Sequence, residues 1–195
     1  LIRQRLPQKE TLDKSQPRDL FQTPNYAIDL LVPFIPHTCE IWECAAGELK
    51  ISNRLKYHGY KVLSTDIRGF ELEGVVPSNF ITDPKRTDIY QKLTIIITNP
   101  PYSLKRKFFQ KCIEYNIPFA LLISGDYSLW TIDAVRKYGC EKIIPDHRIN
   151  FITPSGKSEA TGHSSYFHSY WLTRYFNLGK TETFVDLTKE MRKNI

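Results

Sequence analysis

Residues 93–98 read Leu-Thr-Ile-Ile-Ile-Thr, and Asn99-Pro100-Pro101-Tyr102 follows at once. A continuous apolar, β-branched run predicts a central strand covered on both faces. The prolines then end it. Each removes a backbone donor and fixes φ at about −65°, and Pro100 keeps Asn99 out of the helical region. The result is a stiff loop at a strand's carboxyl end, presenting a side-chain amide, backbone carbonyls and an aromatic ring. A strand covered on both faces points to a layered α/β sheet.

The rest of the chain alternates to match. Helices are predicted over 25–33, 48–58, 105–115 and 129–138, with Pro33 and Gly59 as stops. Strands are predicted over 39–43, 61–65, 80–82, 93–98, 119–124, 142–144 and 166–175. This order predicts a mostly parallel sheet with helices on both faces, and such sheets bind ligands beyond their carboxyl ends. Residues 1–20 are polar and charged and read as an arm. Residues 21–195 read as one domain.

Composition narrows the classes. A chain of 195 residues with 41% hydrophobic and 25% charged residues is neither disordered nor a coiled coil. Lys and Arg number 27 against 21 Asp and Glu, a net +6 that favours a polyanionic partner. No apolar run approaches the roughly 18 residues of a membrane helix, and the start does not resemble a signal peptide. A cytoplasmic protein without membrane association is expected. Cys39, Cys44, Cys112 and Cys140 form no C-x-x-C pair, and no H-E-x-x-H pattern occurs, so no metal is expected. His147 beside Asp146 reads as a surface pair.

The loop at Asn99 suits one kind of chemistry. The exocyclic amino group of adenine is conjugated with its ring and is a poor nucleophile. The Asn99 carboxamide oxygen, helped by the Pro100 carbonyl, can hold its two hydrogens, which favours a tetrahedral nitrogen with a free lone pair. Tyr102 can stack on the base, a contact worth about 1–3 kcal/mol, which would offset part of the cost of flipping it from a duplex. Two other strand ends carry acids. Glu43 precedes the small-residue turn Cys44-Ala45-Ala46-Gly47, where a ligand approaches backbone closely. Asp66 stands where a Rossmann acid accepts ribose hydroxyls, and Ile67 follows to flank a nucleoside base.

These segments together resemble a known family. Asn99-Pro100-Pro101-Tyr102 resembles the catalytic motif of amino-group methyltransferases that use S-adenosyl-L-methionine: N6-adenine DNA methyltransferases, some adenine or guanine RNA methyltransferases, and glutamine methyltransferases. Glu43 to Gly47 resembles the motif whose glycine turn holds the methionine part of that cofactor, with Cys44 where Pro is common and Leu49 where a second Gly is common. Phe21-Gln22-Thr23-Pro24 resembles the segment that closes over the methionine end of the cofactor in DNA adenine methyltransferases. Its place ahead of the glycine turn matches the gamma-type order and favours DNA over protein glutamine.

The resemblance covers residues 21 to about 172. It implies a Rossmann-like class I methyltransferase fold with a seven-stranded sheet. It implies S-adenosyl-L-methionine held by Phe21, Thr23, Pro24, Glu43, Ala45, Gly47, Asp66, Ile67, Asp83 and Asn99, with Asp83 receiving the cofactor's adenine amino group. It implies methyl transfer to adenine in DNA by Asn99, Pro100, Pro101 and Tyr102, as in small phage and bacterial enzymes. The alternatives are an RNA amino methyltransferase, a glutamine methyltransferase, and a non-catalytic nucleic-acid-binding subunit.

The target-facing residues follow Tyr102. Lys105, Arg106 and Lys107 are expected to contact phosphates, while Phe108 and Phe109 read as core. Arg148, together with Lys157 and His163 in or beside the polar 153–163 loop, are further candidate nucleic-acid contacts. The motifs occupy nearly the whole chain and leave no room for a separate recognition domain. Target choice is therefore expected from these segments, or from a homodimer or partner subunit.

Overall fold

In the computed structural model, which describes residues 17–84, 94–152 and 167–193, the isoleucines of the 93–98 run are buried, as their apolarity requires. The chain builds α1 (Asn25–Asp29), β1 (Glu40–Glu43), α2 (Lys50–Tyr57), β2 (Lys61–Asp66), β3 (Val76–Pro77), β4 (Thr94–Thr98), α3 (Lys105–Tyr115), β5 (Phe119–Ser124), α4 (Leu129–Tyr138), β6 (Glu141–Pro145), β7 (Ser169–Arg174) and β8 (Glu182–Val185). One eight-stranded sheet holds them in the order β3-β2-β1-β4-β5-β7-β6-β8. The pairings from β3 across to β5 are parallel. β7 runs antiparallel between β5 and β6, and β8 adds to β6 in parallel. The sheet is therefore mixed, and it carries one strand more than the seven expected.

Strand alternation sorts the core into two layers. Ile41, Ile95, Ile97, Ala120, Leu122 and Trp171 point to one face, where α1 and the turn after it deliver Ile28 and Leu31, and α2 delivers Ile51 and Leu55. Trp42, Ile96, Phe119, Leu121, Ile123 and Leu172 point to the other, against Phe108, Phe109, Cys112 and Tyr115 of α3 and Ala134 of α4. Each such Ile, Leu or Phe side chain contributes about 1.5–3 kcal/mol on full burial. Trp171 also satisfies its one polar group, because its indole N–H donates to the Ala27 carbonyl at 2.9 Å and ties β7 to α1.

The third strand is not where the sequence pattern put it. Phe80-Ile81-Thr82 is a turn held by N–H bonds from Thr82 and Asp83 to the Asn79 carbonyl. Phe80 is drawn into the core, 5.3 Å from Trp42 and 5.1 Å from Phe108 between ring centres. The strand is Val76–Pro77 at the edge of the described sheet, where a proline is tolerated because no outer neighbour among the described residues needs its missing N–H. β8 was not anticipated; its alternating exposure is that of a half-covered edge strand. Gly69 packs directly beneath β3, and a Cβ there would lie 2.5 Å from the Pro77 nitrogen. Gly69→Ala is expected to destabilise the fold by about 1–3 kcal/mol, as forced overpacking does. A urea midpoint equal to wild type would contradict this packing.

Candidate functional site

The carboxyl end of β1 opens into the small-residue turn. Ala46 N–H donates to the Thr65 carbonyl at 3.0 Å, which holds the turn against β2. Gly47 has φ +47° and Leu49 φ +62°. Leu49 therefore occupies a left-handed position that costs an L-residue about 1–2 kcal/mol, which is the physical reason a glycine is common there. Glu43 is 1% exposed. Its carboxyl accepts from the Ser52 hydroxyl, and Ser52 lies 2.6 Å from the Ser64 hydroxyl. Burial pushes the Glu43 carboxyl up to about 8; Ser52 works against this and neighbouring Asp66 adds to it.

Asp66, at the end of β2, braces the same turn. Its carboxylate accepts from Gly47 N–H at 2.9 Å and from Arg68 N–H at 2.8 Å. The Arg68 guanidinium lies 3.5 Å from Asp66 and 3.8 Å from Glu48. These residues border a cleft of about 380 Å³, together with Phe21, Thr23, Ala45, Ile67, Asn99 and Pro101.

Asn99 borders a second, adjoining pocket of about 50 Å³ as well. Its amide nitrogen donates to the Thr23 hydroxyl at 3.2 Å. That bond turns the carboxamide so that Oδ1 is the atom left to accept. Asp19 clasps the loop from outside, accepting from Ser103 N–H at 3.0 Å and its hydroxyl at 2.6 Å. Tyr102 is 40% exposed, and the Lys105 ammonium sits 4.6 Å from its ring centre. Lys105 is thus set apart from its neighbours in sequence. It borders the second pocket and donates to Asp126 at 2.6 Å and to Ser124 at 2.8 Å. Burial opposes ionisation of Asp126, but Lys105 and Ser128 outweigh it and hold the carboxyl below the usual range.

The other expected residues fall as follows. Pro100 borders the second pocket and Pro101 the first. Pro24 is buried at the start of α1. Asp83 borders neither cavity; its carboxylate accepts from the Ser78 hydroxyl and Asn79 N–H, both at 2.8 Å. Arg106 and Lys107 are exposed on α3, beside buried Phe108 and Phe109, and Arg148 is exposed after β6. His147 and Asp146 form a surface pair at 2.9 Å. Lys157 and His163 lie outside the described residues. Arg68, Asp126, Ser124, Ser169 and Phe167 were not anticipated. Asp126 had a signal, since it follows β5 as Asp66 ends β2. Among the described residues, no group of three or more His, Cys, Asp or Glu is placed to hold a metal, and no helix is long and apolar enough to cross a membrane.

No family model matches the chain, and no curated protein does. Solved structures do. One is described as a "putative RNA methyltransferase" from Pyrococcus horikoshii: TM-score 0.49, 17% identity, covering 76% of this chain and 82% of that one. Another is the CcbJ methyltransferase of Streptomyces caelestis: TM-score 0.39, 10% identity, covering 79% and 74%. The fold is Rossmann-like α/β, which rests on this chain's own sheet order, with β7 the one reversed strand among those described and a cleft at the carboxyl ends of β1, β2 and β4.

Proposed function

We propose that this protein transfers a methyl group from S-adenosyl-L-methionine to the exocyclic amino group of adenine in DNA. The observation that carries the reading is Asn99, which stands between the two cavities with its amide nitrogen tied to Thr23 and Oδ1 left to accept. A donor molecule in the first cavity and an acceptor in the second would meet at this side chain.

The first cavity suits the cofactor in size and donor set. Ligand pockets are commonly about 300–1,000 Å³, and the cleft matches that scale. Gly47 lacks the Cβ that would narrow the turn, and Glu43 and Asp66 offer carboxyl oxygens at the ends of two adjacent strands. Glu43, Ala45 and Gly47 would hold the methionine part, Asp66 the ribose hydroxyls, and Ile67 the adenine. When bound, the cofactor supplies an electrophilic methyl group. The chain's own residues do the rest. Asn99 Oδ1 and the Pro100 carbonyl accept the amino hydrogens and orient the lone pair. Tyr102, braced by Lys105, supplies a stacking wall. No strong base is needed, because the methylated nitrogen is cationic and loses its proton readily.

Net charge and the exposed Arg106 and Lys107 support a nucleic-acid acceptor, with phosphate contacts that weaken as salt rises. The test is methyl transfer from labelled cofactor to duplex DNA, single-stranded DNA and RNA in parallel, with the product base identified by mass spectrometry. N6-methyladenine in a DNA arm is the expected result. Labelling confined to RNA would move the assignment to the RNA enzymes. No labelling, together with no measurable cofactor binding, would overturn it.

A further inference from the structure

The second pocket has apolar walls and one polar end. Tyr102, Phe167 and Phe151 form the walls, with ring centres 6.1 and 6.3 Å apart in succession. The polar end lies where β5 meets β7. Ser124 and Ser169 are direct cross-strand partners there, 7% and 1% exposed, and both border the pocket.

The two hydroxyls differ in what they have to offer. Ser124 Oγ accepts from the Lys105 ammonium, so its own hydrogen is free to serve another acceptor. Ser169 Oγ has no hydrogen-bond partner among the described residues. A buried hydroxyl without a partner is costly and calls for an explanation. Asp126 does not border the pocket; its oxygens face Lys105, Ser128 and Thr131. Among the described residues the one carboxylate that does is Asp19, which is taken up by Ser103 at the junction with the first cavity. The β5–β7 end of the pocket is therefore rich in donors.

We infer that Ser169 is a specificity-determining residue whose hydroxyl donates to a ring nitrogen of the acceptor base, beside the amino group that Asn99 holds. This rests on the methyl-transfer reading above. Adenine offers such a ring nitrogen next to its amino group. On its pairing edge guanine presents a ring N–H beside its amino group, which cannot accept the Ser169 hydrogen.

The test uses two random-sequence single-stranded DNA pools, identical except that every adenine in one is 1-deazaadenine, which keeps the amino group and replaces the ring nitrogen by C–H. Wild type is expected to favour the adenine pool by about fivefold in kcat/KM, the worth of one net hydrogen bond. Ser169→Ala is expected to lose that factor on adenine alone, so that its preference falls to about one, while Ser169→Thr keeps it. The thermal midpoint of ligand-free Ser169→Ala should rise, because an orphaned hydroxyl has been removed; a merely structural serine would give a fall. An equal loss on both pools overturns the inference and leaves methyl transfer standing. Equal rates on the two pools for wild type also overturn the inference, whereas no transfer to the adenine pool together with none to duplex DNA overturns the DNA methyl-transfer reading, and the inference with it.

Discussion

Asn99→Ala is expected to lower kcat for methyl transfer by about a hundredfold to a thousandfold, the scale seen when one preorganised hydrogen-bond partner of a developing charge is removed. The reason lies in where the charge appears. As the amino nitrogen attacks, its hydrogens become acidic, and an acceptor fixed before the reaction needs no reorganisation. The fold should survive. Asn99 is only half-buried, and the substitution leaves just the Thr23 hydroxyl short of a partner, at a cost of about 1 kcal/mol. Binding of S-adenosyl-L-methionine, read by calorimetry, should change far less than kcat. Thr23→Val gives the companion result. It frees the amide to rotate without removing it, so kcat falls by less than in Asn99→Ala. A folded Asn99→Ala protein that turns over at the wild-type rate would remove Asn99 from the mechanism.

How much of this was legible in the sequence depends on the physical origin of each feature. β4 and its proline stop were legible because apolarity and lost donors act locally. The pairing of Glu43 with the glycine turn was legible for the same reason, and of the two departures there the left-handed backbone makes Leu49 the costly one. The third strand was misplaced because Phe80, an aromatic in a β-like triplet, is held by Trp42, Phe108 and Tyr115 from distant parts of the chain. Propensity cannot see such contacts. Val76–Pro77 was hidden by a proline that only an edge position accommodates. Lys105 read as one of three cations on a helix, yet its partners Asp126 and Ser124 arrive from β5 and the loop beyond it. Ser169 carried no sequence signal at all. Its position across from Ser124 exists only because β7 returns antiparallel into the sheet.

Glu43 should make stability fall as pH rises, the reverse of the usual carboxylate. An ordinary paired acid has a depressed value and stabilises the fold once ionised. Glu43 is buried, and its carboxyl is raised from 4.5 to about 8. Below about pH 4.5 it is protonated in the folded and unfolded chain alike, and it contributes no pH dependence. Between there and about pH 8 the unfolded chain has released the proton and the folded chain has kept it. Holding one proton through each pH unit of that window changes stability by about 1.4 kcal/mol, so roughly 5 kcal/mol is lost across it. Glu43→Gln keeps the shape and an acceptor for Ser52 but has no proton to lose. Urea midpoints of the two proteins should therefore coincide near pH 4.5 and separate as pH rises, with the variant the more stable above pH 8. Parallel profiles would mean that Glu43 is ionised in the folded protein. The same proton bears on the proposed ligand. A cationic sulfonium beside Glu43 favours the carboxylate, so wild-type affinity for S-adenosyl-L-methionine should increase with pH through this window. In Glu43→Gln that rise should vanish, because the side chain has no charge to gain.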